Sequence, residues 1–226
     1  MTIKLKLIIF DLDGTLIETV SEIADATNDT LRALGLAEVS ESRVRNLIGH
    51  GTRELLINAL VFVKQWSVEK IREWSELQEV YRLFDDFYLA RCGKRSYLYP
   101  DVLDVLNQLR NAGIKMAIVT NKESRFTQAV INAHQLEHYF DVVISGDTLS
   151  TKKPDPQGIN LCLQTLGAKP EEAIFIGDSS VDAKTAQNAG LRVWLMPYGY
   201  NMGAPLEDSN PDHIAKGFKE IANLLD

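Results

Sequence analysis

The stretch Leu7-Ile8-Ile9-Phe10-Asp11-Leu12-Asp13-Gly14-Thr15-Leu16 joins a short apolar run to two acids and a glycine. An apolar run of this length that stops abruptly is typical of a strand buried on both faces of a parallel sheet. Asp11 and Asp13 then lie at the carboxyl end of that strand. Ligands bind beyond the carboxyl ends of the strands in such sheets, so this stretch predicts both a fold and the place of a site.

Four further short apolar runs have the same character, at residues 115–119, 142–145, 173–177 and 191–196. Helical patterns lie between most of them, including one after Asp101 and one opened by Pro156, and another is predicted from Pro211 to Leu225. Alternating strands and helices predict an α/β fold, specifically a doubly wound parallel sheet with a Rossmann-like core.

The segment between residues 19 and 96 differs from the rest, because helical patterns follow one another there without a convincing strand. Its clearest element spans residues 68–92, where an apolar stripe recurs every three or four residues: Ile71, Trp74, Leu77, Tyr81, Phe84 and Tyr88. Such a stripe indicates packing, and we assign it no chemistry. We predict a core domain of residues 1–18 and 97–226 and an inserted α-helical cap domain of residues 19–96, with hinges near 16–20 and 96–100.

Composition and charge narrow the classes of partner. The chain has 226 residues, of which 45% are hydrophobic and 24% charged, values that are normal for a globular protein. A net charge of -7 gives no positive field for nucleic acid or for an anionic membrane, so neither is an expected partner.

The cysteines and the early apolar run bear on location. Cys92 and Cys162 lack metal-ligand spacing and are too few for a disulfide framework, which fits a reducing compartment. The early apolar run is cut short by Asp11 and is too short for a secretory signal, so we expect a cytoplasmic location. The oligomeric state stays open.

Polar residues end three of the four other predicted strands or follow them in the next loop. They are Thr120 and Asn121, then Lys152 and Lys153 in a loop, and finally Asp178, with Asp182 four residues later. Several acids beside one ammonium would repel each other unless a divalent cation neutralised them, and hard oxygen ligands suit Mg²⁺. A Mg²⁺ site with a lysine nearby indicates a small phosphorylated metabolite as substrate. Lys152, which cannot share the direction of Lys153, is predicted to be solvated.

These motifs resemble those of the haloacid-dehalogenase-like hydrolases. The resemblance rests on Asp11-Leu12-Asp13-Gly14-Thr15-Leu16, Val119-Thr120-Asn121, Lys153-Pro154, and Gly177-Asp178-Ser179 with Asp182, in that order along the chain. The helical insert after the first motif agrees with that family as well. The resemblance covers most of the chain.

The resemblance implies a phosphomonoester hydrolase with a covalent mechanism. Asp11 would attack phosphorus to form an aspartyl-phosphate, and Asp13 would act as general acid and then as general base. The remaining roles implied are Mg²⁺ ligation by Asp11, Asp178 and the main-chain carbonyl of Asp13, a further acid near the metal at Asp182, and phosphate binding by Thr120, Asn121 and Lys153.

A closer resemblance is to the bacterial phosphoglycolate phosphatase family. Ile48-Gly49-His50-Gly51 in the insert and Tyr198-Gly199-Tyr200-Asn201 near the C-terminus are similar to segments of that family. The resemblance implies 2-phosphoglycolate as substrate. His50, Gly51 and Arg53 are then the predicted cap contacts, with the Arg53 guanidinium as the partner of the substrate carboxylate.

Two alternatives stay open at this stage. A sugar phosphomutase, or another small-metabolite phosphatase, would use the same motifs, because the insert decides the fate of the phosphoryl group. A phospho-signalling receiver domain also gathers acids, a hydroxyl and a lysine around Mg²⁺. The helical insert of roughly eighty residues has no place in a receiver domain, which disfavours that alternative.

Overall fold

The structure is a computed structural model of the chain and describes residues 4–225. Its strands are β1 (Leu7–Phe10), β2 (Ile17–Glu18), β3 (Tyr97–Leu98), β4 (Lys115–Val119), β5 (Val142–Ile144), β6 (Ala173–Gly177), β7 (Arg192–Leu195) and β8 (His213–Ile214). Its α-helices are α1 (Val20–Ala33), α2 (Glu41–Arg45), α3 (Thr52–Lys64), α4 (Val68–Arg72), α5 (Leu77–Leu89), α6 (Val102–Asn111), α7 (Ser124–Ala133), α8 (Gln157–Leu166) and α9 (Ser180–Ala189). Further 3-10 helices cover Pro170–Glu172, Glu207–Ser209 and Phe218–Leu225.

The apolar run at the start of the chain forms β1, which lies inside a six-stranded sheet of order β5-β4-β1-β6-β7-β8. Every pair of neighbours in this sheet is parallel. Leu7 pairs with Lys115 of β4 on one side and with Ala173 of β6 on the other, so the carboxyl ends of these three strands are level. The predicted α/β fold with a parallel sheet is confirmed.

Both faces of the sheet are covered. Ile8 and Phe10 belong to a buried cluster with α6 and the 3-10 helix Phe218–Leu225, whereas Leu7 and Ile9 belong to another with α8 and α9. Successive side chains of a strand point to opposite faces, so a strand between two helical layers must be apolar throughout. This arrangement explains why β1 has no polar residue before Asp11.

The C-terminal end of the sheet differs from the prediction. The helix expected from Pro211 is wrong, because His213 and Ile214 form β8, which pairs in parallel with Trp194 and Leu195 of β7. The helical part begins only at Phe218 and is a 3-10 helix. The apolar spacing of this segment fits a short strand followed by a separate helix as well as it fits one continuous helix.

The segment from Val20 to Leu89 is helical, and we refer to α1–α5 and their connections as the cap. The single long helix predicted over 68–92 is wrong, because the chain leaves the helix after Arg72 and begins another at Leu77. The break sets Trp74 edge-on against Trp66, with ring centroids 6.0 Å apart.

The two chain segments that connect the core to the cap pair with each other. β2 and β3 form a two-stranded antiparallel sheet in which Ile17 pairs with Leu98 and Glu18 with Tyr97. The predicted domain boundaries stay a prediction, and residues 1–3 and 226 of the predicted core domain lie outside the described part. None of the helices within residues 4–225 has the length and apolar character that a membrane span requires.

Candidate active site

A cavity lies where the carboxyl ends of the central strands meet the cap. Its walls come from both parts of the chain and include Asp11, Asp13, Thr120, Asn121, Lys122, Lys153, Asp178 and Ser179 from the core, Ile23, Ile48, Gly49, Gly51, Thr52 and Leu55 from the cap, and Tyr200 from the C-terminal region. The predicted acids, hydroxyl and lysine therefore converge on one volume, because parallel strands present their carboxyl ends on the same edge.

Asp11 follows the last residue of β1, and only 8% of it is exposed. Its Oδ1 lies 2.8 Å from Nζ of Lys153, with which it forms an ion pair. This buried oxygen has no hydrogen-bond partner among residues 4–225. Burial raises the pKa of Asp11 to about 6, although the positive charge of Lys153 opposes the change. The Asp11 carboxylate thus has Lys153 as its one side-chain partner among residues 4–225, which leaves it available as a nucleophile or a metal ligand.

Lys153 is held between two carboxylates. Its Nζ donates to Oδ1 of Asp182 at 2.7 Å and lies beside Asp11, while only 3% of its side chain is exposed. Burial lowers the pKa of this lysine, but the charges of Asp11 and Asp182 more than offset that effect and raise it above its ordinary value. The ammonium is therefore a fixed positive charge next to the candidate nucleophile.

Both carboxylate oxygens of Asp178 accept hydrogen bonds from protein groups, and the backbone packs closely against the carboxylate. Its Oδ1 accepts a hydrogen bond from Oγ1 of Thr15 at 2.7 Å, and its Oδ2 accepts one from the backbone N–H of Tyr200 at 2.5 Å. A Cβ atom at Gly14, whose φ is +87°, or at Gly199 would overlap this carboxylate. Burial, followed by the charges of the neighbouring acids, raises the pKa of Asp178 well above its ordinary value. Both glycines are required for this close approach.

Asp182 lies in the first turn of α9, and its hydrogen-bonding capacity is largely taken by the protein. Its Oδ2 accepts from the backbone N–H groups of Asp178 and Ser179 and from the Ser179 hydroxyl, and its Oδ1 accepts from Lys153. The Ser179 hydroxyl in turn accepts from the backbone N–H of Asp182, which completes a capping box. Asp182 therefore orients Lys153 and starts α9.

Three buried acids lie close enough to share one cation. Carboxylate oxygens of Asp11, Asp178 and Asp182 all fall within 4.8 Å of one another. Three carboxylates against the single ammonium of Lys153 leave an excess of buried negative charge, and Asp11 keeps an oxygen without a hydrogen bond. These residues fit a divalent cation with oxygen ligands. Asp11 and Asp178 are the better candidates, since Asp182 is already saturated.

Asp13 is paired with a lysine that the sequence analysis did not single out. Nζ of Lys122 lies 3.0 Å from both carboxylate oxygens of Asp13, and Oγ1 of Thr19 donates to Oδ1 at 2.7 Å. The Tyr88 hydroxyl of the cap contacts the same ammonium. The sequence predicts packing alone for Tyr88, and this contact corrects that prediction. The available signal was the position of Lys122, directly after the Thr120-Asn121 motif at a strand end.

Asn121 has a different task from the predicted phosphate contact. Its amide donates to the backbone carbonyls of Gly49 at 2.9 Å and Lys153 at 3.1 Å, and its Oδ1 accepts from the backbone N–H of Lys153 at 2.9 Å. The whole side-chain amide is thus engaged by protein groups. Through these hydrogen bonds, Asn121 connects the cap and the loop that carries Lys153 to the end of β4.

The cap residues predicted to touch substrate are only partly brought to the cavity. Gly51 lines it, whereas His50 is exposed and Arg53 is absent from its walls. The Arg53 guanidinium instead donates to Asp85 at 2.9 Å and stacks over the Tyr81 ring at 4.4 Å. A guanidinium held by these two cap residues is not positioned at the cavity, so the structure gives Arg53 no contact with the predicted site.

A parallel α/β core with a helical cap over an acidic, lysine-containing cavity is the arrangement of a class of hydrolases. The chain belongs to the haloacid dehalogenase-like hydrolases, whose family model matches residues 8–196. This membership confirms the predicted family and removes the receiver-domain alternative.

Comparison with known proteins shows which hydrolases this chain is similar to. The phosphoglycolate phosphatase of Vibrio parahaemolyticus is 38% identical, over 98% of this chain and 96% of the relative. The crystal structure of a predicted phosphoglycolate phosphatase from Haemophilus somnus has a TM-score of 0.91 at 31% identity and covers 100% of both chains. A mutant of CbbY from Rhodobacter sphaeroides, solved in complex with xylulose-(1,5)bisphosphate, has a TM-score of 0.79 at 25% identity, covering 98% of this chain and 99% of that one. The predicted enzyme class, a hydrolase of phosphate monoesters, is confirmed.

Proposed function

We propose that this chain hydrolyses 2-phosphoglycolate in a Mg²⁺-dependent reaction that passes through an aspartyl-phosphate on Asp11. The observation that carries the proposal is the Asp11 carboxylate, which is buried at the cavity and paired with the Lys153 ammonium alone among the side chains of residues 4–225. The name of the relatives at about two-fifths identity supports the choice of ester. Location in the cytoplasm stays a prediction.

In the first half of the reaction, an Asp11 oxygen forms a bond to phosphorus while the bond from phosphorus to the ester oxygen breaks. Asp13 donates a proton to that departing oxygen, so that glycolate leaves as an alcohol. Lys153 and the Thr120 hydroxyl bind the oxygens of the phosphoryl group during transfer. Mg²⁺, held by Asp11 and Asp178, would supply positive charge that offsets the repulsion between the carboxylates and the phosphate.

In the second half, water attacks the phosphorus of the aspartyl-phosphate and the acyl phosphate bond breaks. Asp13 takes a proton from this water, which restores the group for the next cycle. The products are inorganic phosphate and the free Asp11 carboxylate. The cap above the cavity favours a small ester over a large one.

A second candidate is a phosphorylated sugar, either as the substrate of a phosphatase or as that of a phosphomutase. The likeness to a protein solved with xylulose-(1,5)bisphosphate favours it, because the two chains share a fold over nearly their full length. The core motifs serve both candidates equally.

The test is phosphate release from a panel of esters, with and without Mg²⁺, using 2-phosphoglycolate, ethyl phosphate, xylulose 5-phosphate and glucose 6-phosphate. We expect the highest kcat/KM for 2-phosphoglycolate and no turnover after exhaustive chelation. Asp11→Asn should abolish both turnover and acid-stable labelling of the protein by ³²P-labelled substrate. Faster hydrolysis of a sugar phosphate, or label on another acid, would contradict the proposal.

A further inference from the structure

A substrate with a carboxylate requires a cationic partner in the cavity, and this inference rests on the proposed function. Among the described residues that line the cavity, two carry a positive charge, Lys122 and Lys153. Lys153 is committed to Asp11 and Asp182 at the end where the phosphoryl group is transferred. Arg53 is paired with Asp85 and does not line the cavity. Lys122, whose carboxylate partner is Asp13 and not one of the acids around Asp11, is therefore the candidate cation for the rest of the substrate.

The position of Lys122 is fixed from both sides of the cavity. Only 2% of its side chain is exposed, and Nζ lies 3.0 Å from each oxygen of Asp13. On the cap side it contacts the Tyr88 hydroxyl, and it lies 4.6 Å from the centre of the Tyr88 ring. A buried ammonium held in this way has a defined place and little freedom, as recognition of a small anion requires.

The chemistry of the ester places its carboxylate near the same point. Asp13 is the proposed proton donor to the bridging oxygen, and in 2-phosphoglycolate a single methylene separates that oxygen from the carboxyl carbon. A cation that contacts Asp13 is thus within reach of the substrate carboxylate. A cation near Asp11 would instead meet the phosphoryl oxygens.

The ion pair with Asp13 also gives Lys122 a need for a second anion. Asp13 is its one carboxylate partner among residues 4–225. When an Asp13 oxygen turns to the bridging oxygen of the substrate, Lys122 loses part of that contact while it stays buried. A buried ammonium without a counter-charge is costly, and the substrate carboxylate supplies the replacement.

We propose that Lys122 recognises the carboxylate of the substrate, and that Tyr88 and Asp13 hold its ammonium in place before the substrate binds. Lys122 is a specificity-determining residue in this scheme. Esters of similar size without a carboxylate gain nothing from it. The role that the sequence assigned to Arg53 passes to a lysine on the opposite, core side of the cavity.

The test compares Lys122→Met with the unaltered protein on 2-phosphoglycolate and on ethyl phosphate, which has the same chain length and no carboxylate. We expect kcat/KM for 2-phosphoglycolate to fall about ten- to a hundredfold more than that for ethyl phosphate. Lys122→Arg should keep much of the preference, because the charge remains. Lys219→Met is the matched control at an exposed lysine of the C-terminal 3-10 helix, and it should leave the ratio unchanged. Should Lys122→Met not fold, Lys122→Gln removes the charge but keeps a polar group, and the same change in the ratio is expected.

A binding measurement separates recognition from proton transfer. In an Asp11→Asn background, calorimetry with Mg²⁺ present should show weaker binding of 2-phosphoglycolate after Lys122→Met, and unchanged binding of inorganic phosphate. Equal losses on both esters, with unchanged binding of 2-phosphoglycolate, would mean that Lys122 serves only Asp13 and would overturn the inference. Failure of the proposed function is visible earlier, since the unaltered protein would then show no preference for 2-phosphoglycolate over ethyl phosphate.

Discussion

At the scale of single residues, Lys153 and its neighbour Lys152 form a natural pair for comparison. Lys153→Ala leaves the Asp11 and Asp182 carboxylates buried without their counter-charge and removes a cation beside the transferring group. We expect kcat/KM to fall by about a hundred- to a thousandfold and stability to drop by about 3–5 kcal/mol. Lys152→Ala, at an exposed position, should change either quantity little. Steady-state kinetics and urea unfolding of both variants check this, and the reverse order of effects would refute our assignment.

The site residues that can be predicted from the sequence are those that directly follow a single strand. Asp11, Thr120 and Asp178 each follow an apolar run, so their meeting at one edge follows from a parallel sheet. The contact of Lys122 with Tyr88 could not be predicted in the same way. It depends on how the cap sits on the core, and the aromatic spacing of the helix that carries Tyr88 indicates packing whether or not a lysine lies next to it.

Asn121 and Arg53 show the same limit of sequence-based prediction, because each has a partner in the structure that differs from the predicted one. Both have side chains that suit an anion, and their positions next to recognisable motifs favour that interpretation. Their actual partners, the Gly49 carbonyl and the Asp85 carboxylate, lie 72 and 32 residues away along the chain. No local pattern specifies such partners, because they are set by tertiary packing.

At the scale of elements, the short sheet at the hinges centres on Glu18, which is 7% exposed. Its carboxylate accepts hydrogen bonds from the hydroxyls of Tyr200 and Tyr99, from the backbone N–H of Val20 and from the Arg45 guanidinium. Burial raises the pKa of Glu18, but these donors outweigh that effect and hold it below its ordinary value of 4.5. The carboxylate thus joins β2, β3, the start of α1 and the C-terminal region.

We expect Glu18→Gln to lower stability by about 1–3 kcal/mol at pH 7, because an amide NH₂ would face a set of donors. A lowered pKa in the folded state means that the stabilisation is present above the ordinary value of 4.5 and is lost as pH falls through the folded value. The difference between variant and unaltered protein should therefore shrink at pH 3. Urea unfolding at both pH values measures it, with Glu18→Asp as the charge-retaining control. A stability gap that is absent at pH 7 would exclude this role.

Elements with a clear apolar run or helical period were predictable, and short ones were not. β1, β4 and β6 follow from runs of four or five apolar residues between polar ends. β8 has only two residues, too few for any period, and it is defined by pairing with β7. The break between α4 and α5 is equally hidden, because apolar spacing continues across it and only the packing of Trp74 on Trp66 distinguishes two helices from one.

At the scale of the whole molecule, Tyr200 connects the site to the crossing between core and cap. Its backbone N–H donates to Asp178, while its hydroxyl donates to Glu18 and accepts from the N–H groups of Thr19 and Val20. The acid that is predicted to bind metal and the start of the cap thus share one residue of the C-terminal region. Occupation of the acidic cluster is therefore expected to stabilise core and cap together.

That stabilisation should depend on pH, with a sign that the buried acids determine. Burial raises the pKa of Asp11 from 3.8 to about 6 and raises that of Asp178 as well, so the metal-free folded protein binds protons more tightly than the unfolded chain does. The contribution of Asp11 to stability consequently falls as pH rises from about 4 to about 6, and that of Asp178 falls as pH rises through its raised folded pKa. When these carboxylates lose their protons, a cation can replace the protons as the neutralising species.

We therefore expect Mg²⁺ to raise the Tm by several degrees at pH 7.5 and by clearly less at pH 5, where protons compete with it for the same oxygens. Thermal unfolding followed by circular dichroism, in excess Mg²⁺ and in chelator at each pH, measures the change in Tm that Mg²⁺ causes. Because the two Tm values are compared at the same pH, the titration of groups outside the cluster affects both equally. Asp178→Asn is the control, since it removes one of the two best ligands and should abolish most of the Mg²⁺ effect at pH 7.5. An equal shift at both pH values, or one that survives Asp178→Asn, would place the cation elsewhere on the molecule.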